Sequence, residues 1–237
     1  MLGLGIGVHN NAYAGGWTPA DLSGLVVWYR FNTGIIKAGA STLAADGEDV
    51  GRWTDKSGVG NNAVKTSNHP SYNEDNRSVF FDSTAETLDI PQLTLGTFSM
   101  YARVKFTASI TSADILMQDG TTSNNFWRVQ STTGIRCKIG GAATAINYTL
   151  HSSNILEEDI FYNMGLERDG DSKMYSYLNG TANGSPVTVD VESKSFLVDS
   201  LHGGKDAMIS EVVITTNSLS SAERALLDTW LTSETEE

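Results

Sequence analysis

The sequence predicts an all-β chain: a two-layer antiparallel β-sandwich with a short C-terminal helix and an extended N-terminal arm. Three observations predict it. Residues 97–106 alternate with period two. Phe98, Met100, Ala102, Val104 and Phe106 fall on one face and Thr97, Ser99, Tyr101, Arg103 and Lys105 on the other, as in a strand with one face in a core. Between such runs the chain is punctuated by turn pairs, Asp119-Gly120, Asp169-Gly170 and Asn179-Gly180, which supply residues tolerant of positive φ. Convincing helical periodicity appears once, after Ser220.

Taken in order, residues 1–16 alternate glycine with apolar residues and then become Asn- and Gly-rich, a composition with weak preference for helix or strand. They read as a flexible docking arm whose apolar positions are Leu2, Leu4, Ile6 and Val8. The arm lacks the positive flank of a secretory signal and is read as part of the mature chain. Residues 17–237 read as one domain, since no break in composition divides them.

Thr18 is placed to cap a single helical turn that begins at Pro19. Residues 25–31 are β-branched and aromatic and predict a strand. Residues 32–62, rich in Gly, Asn and Asp, predict a long loop. Further strands are expected at 78–82, at 88–90, and at 115–118, 126–131, 134–140, 145–150, 160–168, 173–178, 187–191 and 208–215. In 134–140, Ile135, Cys137 and Ile139 alternate with Arg136 and Lys138. Asp169-Gly-Asp171 predicts a hairpin between 160–168 and 173–178. Ser220-Ser-Ala-Glu223 fits a capping box. After it Ala222, Leu226, Leu227, Trp230 and Leu231 recur on one helical face, which is expected to pack on a sheet.

The 237 residues carry 16 Lys plus Arg against 28 Asp plus Glu, a formal charge of −12. With no cluster of basic residues, neutralisation of nucleic-acid phosphates and of anionic membrane surfaces is excluded. No apolar run is long enough to span a bilayer. The single cysteine, Cys137, excludes an intrachain disulfide framework and a cysteine-based zinc site.

Chemistry-bearing residues are few. His9, His69, His151 and His202 are scattered and share no metal-ligand spacing. Glu157 and Asp159 have the alternate spacing of a glycosidase strand, but the next position is Phe161, so the required carboxylate pair is incomplete and no enzyme activity is expected. In Trp53-Thr-Asp-Lys-Ser-Gly-Val-Gly-Asn-Asn62, Asp55 and Asn61 either close a turn on backbone amides, the favoured reading, or supply oxygens to calcium. Asp82 and Glu86 are a second candidate calcium pair. Trp127, Tyr175 and Tyr177 lie in alternating strands and are candidate platforms for a sugar if they face outward, or core or inter-subunit residues if they do not.

Several segments together resemble the laminin G-like, concanavalin A-like jelly rolls of phage and other viral structural proteins. They are Trp17-Thr-Pro-Ala-Asp-Leu22 leading into Val27-Trp-Tyr-Arg30, the Trp53 to Asn61 segment, Val79-Phe-Phe-Asp82, and Phe98-Ser-Met-Tyr-Ala-Arg103. To these are added Tyr175-Ser-Tyr-Leu-Asn-Gly180, Ile209-Ser-Glu-Val-Val-Ile214 and Leu219-Ser-Ser-Ala-Glu-Arg224. The start, Leu2-Gly-Leu-Gly-Ile-Gly7, resembles the N-termini of virion proteins of large tailed phages, marine ones especially.

The resemblance implies a concanavalin A-like jelly roll over residues 17–237 in a non-enzymatic virion component. That component would be a capsid decoration or a tail or fibre part, made in the host cytoplasm and docked to other virion proteins through residues 1–16. Homo-oligomers fit such symmetric sites. The alternative it implies is a carbohydrate-binding, receptor-recognition module for a host surface glycan, with calcium as an optional aid. Here Asp82-Ser-Thr-Ala-Glu86 departs from the family pattern, in which Asp-Gly precedes a further Asp.

Overall fold

The computed structural model describes residues 16–31, 33–82, 85–110, 114–120, 124–140, 144–150, 155–189, 195–201 and 206–233. Leu2, Leu4, Ile6 and Val8 of the predicted arm lie outside the described residues. The first element is a helical turn at Pro19–Asp21, capped as expected: Ala20 N donates to Thr18 Oγ1 (3.3 Å) and Thr18 N to Asp21 Oδ2 (2.8 Å).

The strands that follow are β1 (Leu25–Tyr29), β2 (Ile35–Lys37), β3 (Val50–Trp53), β4 (Ala63–Val64), β5 (Ser71–Asn73) and β6 (Ser78–Phe81). Next come β7 (Leu88–Leu95), β8 (Phe98–Phe106), β9 (Ile115–Gln118), β10 (Phe126–Ser131), β11 (Gly134–Lys138) and β12 (Ile146–Thr149). The last are β13 (Phe161–Arg168), β14 (Lys173–Leu178), β15 (Thr181–Ala182), β16 (Val187–Thr188), β17 (Phe196–Leu201) and β18 (Ala207–Thr215), before helix α1 (Ser221–Ser233).

Two antiparallel sheets form the sandwich. One has the order β15-β14-β13-β8-β18-β6-β5, with β1 beside β18 and β16 beside β14. The other has the order β12-β11-β10-β9-β17-β7-β4-β3-β2. The core between them takes the predicted face of β8 (Phe98, Met100, Ala102, Val104 and Phe106). From the opposite sheet it takes Trp53, Leu88, Trp127, Ile135, Cys137 and Phe196. Burial pushes the Cys137 thiol up to about 12, so it is an inert core residue.

The loop expected over residues 32–62 contains β2 and β3. Gly51 is the reason the composition misleads: a Cβ there would lie 2.7 Å from Ala38 Cα, so this glycine permits close approach of two strands. The strand expected at 88–90 runs on to Leu95, because Pro91 falls at a register shift in the pairing with β17, where a missing N–H costs no ladder bond. β17 itself, absent from the expected strands, fills the centre of its sheet between β9 and β7. The Asp169 hairpin forms as expected, with Met164 opposite Leu178 and Arg168 opposite Met174, but its left-handed residue is Ser172 (φ 59°) rather than Gly170. Asn179 and Gly180 do take positive φ.

α1 begins with the expected capping box. Glu223 N donates to Ser220 Oγ (3.2 Å) and Ser220 N to Glu223 Oε2 (2.8 Å). Its Leu227, Trp230 and Leu231 pack on the outer face of the β8–β18 sheet, against Leu22, Trp28, Tyr101, Tyr177 and Val213. That sheet is therefore buried on both faces, and the expectation of a single core face for β8 is corrected: eight of its nine residues are buried. Among the described residues no helix is long and apolar enough to cross a membrane.

Candidate functional site: the outer face beneath the helix

Registers arrange the outer face in cross-strand rows. The first row runs Thr215, Ser99, Glu167, Tyr175; the second Val213, Tyr101, Gly165, Tyr177; the third Glu211, Arg103, Asn163; the fourth Met208, Lys105, Phe161. A bulge makes this possible. The β18 register shifts between Ile209 and Glu211, so Glu211 leaves the inward phase of Ile209 for the outer face. There its Oε1 accepts from both indoles, Trp28 Nε1 (2.7 Å) and Trp230 Nε1 (2.8 Å). α1 lies across the middle rows, and a concavity remains at each end.

The concavity at the first row is a cleft of about 240 Å³ lined by Glu167, Asp169, Tyr175, Tyr177, Ser218, Leu219 and Arg224. Gly165 builds its tyrosine row. With no side chain at 165, the Tyr101 ring lies over the middle strand and stacks on Tyr177, centroids 6.3 Å apart. Tyr177 stacks in turn on Tyr175, at 6.4 Å and 14°. Tyr175, half-buried, donates its hydroxyl to Asp169 Oδ2 (2.7 Å), while Asp169 Oδ1 accepts the N–H groups of Asp171 and Lys173, both at 2.9 Å.

Behind the tyrosines, Glu167 accepts from Tyr101 OH (2.6 Å) and from Arg224 Nη1 (3.0 Å). The Arg224 guanidinium sits 4.9 Å from the Tyr177 ring centre. Burial pushes the Glu167 carboxyl up, against the opposing pull of Tyr101 and Arg224. Burial, together with the Glu167 charge, raises the Tyr177 phenol to about 12, so it stays a neutral donor. Burial also acts upward on Asp169, but the Lys173 N–H, the Tyr175 hydroxyl and the Asp171 N–H outweigh it and hold the carboxyl below its usual value.

Of the residues singled out in the sequence, Tyr175 and Tyr177 are thus brought together at a cleft, Tyr175 half-buried at its edge and Tyr177 buried in the cluster beneath α1. Trp127 is not: it is fully buried in the sandwich core, in phase with Val129 and opposite Cys137, so it offers no surface to a sugar. The signal was in the alternation, since Trp127 is out of phase with Arg128 and Gln130. The cleft also holds Glu167, Ser218 and Arg224, to which no sequence motif points. Glu167 stands directly opposite Tyr175 in the hairpin, whereas nothing local places Arg224, whose position depends on where α1 lands.

Asp55 resolves as a turn-closing residue. Its carboxylate accepts from Trp28 N (2.9 Å), Ser57 N (2.9 Å), Ser57 Oγ (2.7 Å), Gly60 N (3.0 Å) and Asn61 N (2.9 Å). The Asn61 amide donates to Val26 O (2.9 Å). A carboxylate already holding five donors does not fit a calcium ligand. Asp82 N donates to Glu86 Oε2 (2.9 Å). Burial foremost, with Asp82 and Asp49 adding to it, raises Glu86 to about 7. Among the described residues no group of three or more His, Cys, Asp or Glu is arranged to hold a metal ion. His69 lies 3.9 Å from Asp49, and His9, His151 and His202 fall outside the described residues. Glu157 and Asp159 are exposed in the segment before β13 rather than on a strand face.

No protein-family model matches the chain, and no curated protein matches it by sequence. Solved structures match its fold. A Trypanosoma rangeli sialidase in complex with sialic acid is 16% identical with a TM-score of 0.63, over 92% of this chain and 35% of that one. Botulinum neurotoxin type C, whose passage into cells is dependent upon interaction with two ganglioside molecules, is 12% identical with a TM-score of 0.60, over 88% of this chain and 51% of that one. The binding domain of Paraclostridial Mosquitocidal Protein 1 is 14% identical with a TM-score of 0.56, over 77% of this chain and 50% of that one. The chain spans about a third of the sialidase's length. These likenesses agree with the expected jelly-roll sandwich. The viral resemblance rests on the sequence motifs.

Proposed function

We propose that this chain is a non-catalytic carbohydrate-binding module and that the tyrosine cleft receives the sugar. The observation that carries the reading is the row Tyr101–Tyr177–Tyr175 ending at the cleft beside Asp169, Ser218 and Arg224. An aromatic face packs on the C–H face of a pyranose, and a few fixed polar groups take its hydroxyls. The cleft's size suits one monosaccharide. Binding is favoured over hydrolysis because both carboxylates are committed to structural donors, Glu167 to Tyr101 and Arg224, Asp169 to Tyr175 and two amides. The sialic-acid complex and the ganglioside-dependent toxin among the fold relatives support the same class of ligand.

The reading as a virion component docked through residues 1–16 has the sequence resemblance as its support, and the fold relatives favour the carbohydrate reading over it.

A glycan array followed by NMR titration of the hits tests the proposal. Binding is expected to shift resonances of Tyr175, Tyr177 and Arg224 and to persist in EDTA. Tyr175→Ala should weaken it at least about tenfold while changing stability by no more than about 1 kcal/mol. Absence of binding to every sugar on the array, or binding that Tyr175→Ala leaves intact, overturns the assignment of this cleft.

A further inference from the structure

The concavity at the opposite end of α1 has different chemistry. It is a groove of about 510 Å³ lined by Asp75, Asn76, Arg77, Arg103, Asp159, Ile160 and Phe161. Phe161 anchors it. The Arg103 guanidinium lies 5.1 Å and the Lys105 ammonium 5.2 Å from its ring centre. Lys105 Nζ also donates to Asn76 Oδ1 (2.6 Å), tying the strand to the turn between β5 and β6. That turn is set by Arg77 N donating to Glu74 O (3.0 Å) and Asn76 N to Asn73 Oδ1 (2.9 Å), with Arg77 itself in the left-handed region at φ 46°.

Two of the 16 basic residues of a chain with formal charge −12, Arg77 and Arg103, therefore line one groove, and a third, Lys105, sits over its Phe161 ring. Arg103 is buried at its floor and paired with Asn163, at 2.7 Å, while Asp75 and Asp159 are exposed at its rim.

A cationic floor with an acidic, amide-bearing rim selects a particular ligand. Polyanions such as nucleic acid or a polyphosphate are repelled by the rim carboxylates. A neutral sugar makes no use of the cations. A sugar residue bearing one carboxylate satisfies both: its carboxylate meets the Arg77, Arg103 and Lys105 charges, its hydroxyls donate to Asp75, Asp159 and Asn76, and its apolar face lies on Ile160 and Phe161.

We infer that this groove is a second saccharide subsite, specific for a carboxylate-bearing sugar such as a uronic or nonulosonic acid. The inference rests on the carbohydrate reading but uses none of the tyrosine cleft's residues, so the two fail separately.

The experiment titrates the full chain, observed by NMR, with glucuronate, galacturonate and N-acetylneuraminate, and with glucose, galactose, N-acetylglucosamine and inorganic phosphate. The acidic sugars are expected to shift resonances of Asn76, Arg103 and Phe161, more weakly as salt is raised. Arg77→Gln is expected to lower their affinity about tenfold, and Lys105→Gln serves where Arg77→Gln perturbs the turn. Tyr175→Ala is expected to leave the groove shifts unchanged. Equal groove shifts with neutral sugars, an equal response to phosphate, or no groove response to any acidic sugar overturns the inference, whatever happens at the tyrosine cleft.

Discussion

The outer faces of the two sheets are built from similar alternations and end in opposite states. In β11, Ile135 and Cys137 point into the sandwich, while Arg136 and Lys138 stay half-buried on the outer face. In β8 the outward residues Ser99, Tyr101 and Arg103 are buried as well: Tyr101 packs beneath α1, Ser99 bonds Asn217 and Leu219 in the segment that leads into it, and Arg103 pairs with Asn163. A polar outward phase therefore does not mean solvent. Where a helix lands on it, the same residue types become a hydrogen-bonded layer with a cleft at either end of the helix among the described residues. Buried carboxylates are tolerated there because each has its donors: Glu211 the two indoles, Glu167 a tyrosine and an arginine.

Three substitutions sharpen this contrast. The largest effect is expected for Trp230→Ala, which removes the residue that seals α1 to the sheet and leaves Glu211 with one indole. A loss of about 4 kcal/mol is expected in denaturant unfolding. A loss below about 1 kcal/mol would mean that the helix is not part of the cooperative fold.

Gly165→Ala comes next. Its methyl would lie 2.4 Å from Tyr101 Cε1 and 2.8 Å from Cζ, inside a ring stack that has no room to give. The expected cost is about 2 kcal/mol, with loss of sugar shifts at Tyr177. An unchanged melting temperature together with intact binding would show that the tyrosine row does not depend on that glycine. The smallest effect is expected for Arg136→Ala on the other sheet, within about 0.5 kcal/mol in the same unfolding measurement, as for a half-buried outward residue with no helix packed on it. A cost of 2 kcal/mol or more there would erase the distinction between the two outer faces.

Local residue order carries much of this molecule. The period-two run of β8, the Asp169 hairpin and the Ser220–Glu223 cap each arise from interactions within one element or between neighbours, so they are legible from sequence and the structure reproduces them. The pairing of Glu167 with Tyr175 depends on the exact register of that hairpin, which the left-handed Ser172 sets. Where glycine and proline answer to a contact outside their own strand, as Gly51 does to Ala38 and Pro91 to β17, the same local rules mislead, because the reason for the residue lies in its neighbour.

The clefts belong to the tertiary structure. Tyr101, Glu167, Tyr175 and Arg224 come from three strands and a helix, and they meet because β13 runs between β8 and β14 and because α1 folds back over all three. Likewise the β18 bulge, a single residue out of register, moves Glu211 from the apolar interior to the one layer that can satisfy it. Periodicity states which residues share a face. What covers that face depends on the packing of elements far apart in the chain, and here that packing separates a solvated surface from a buried polar layer with a cleft at each end.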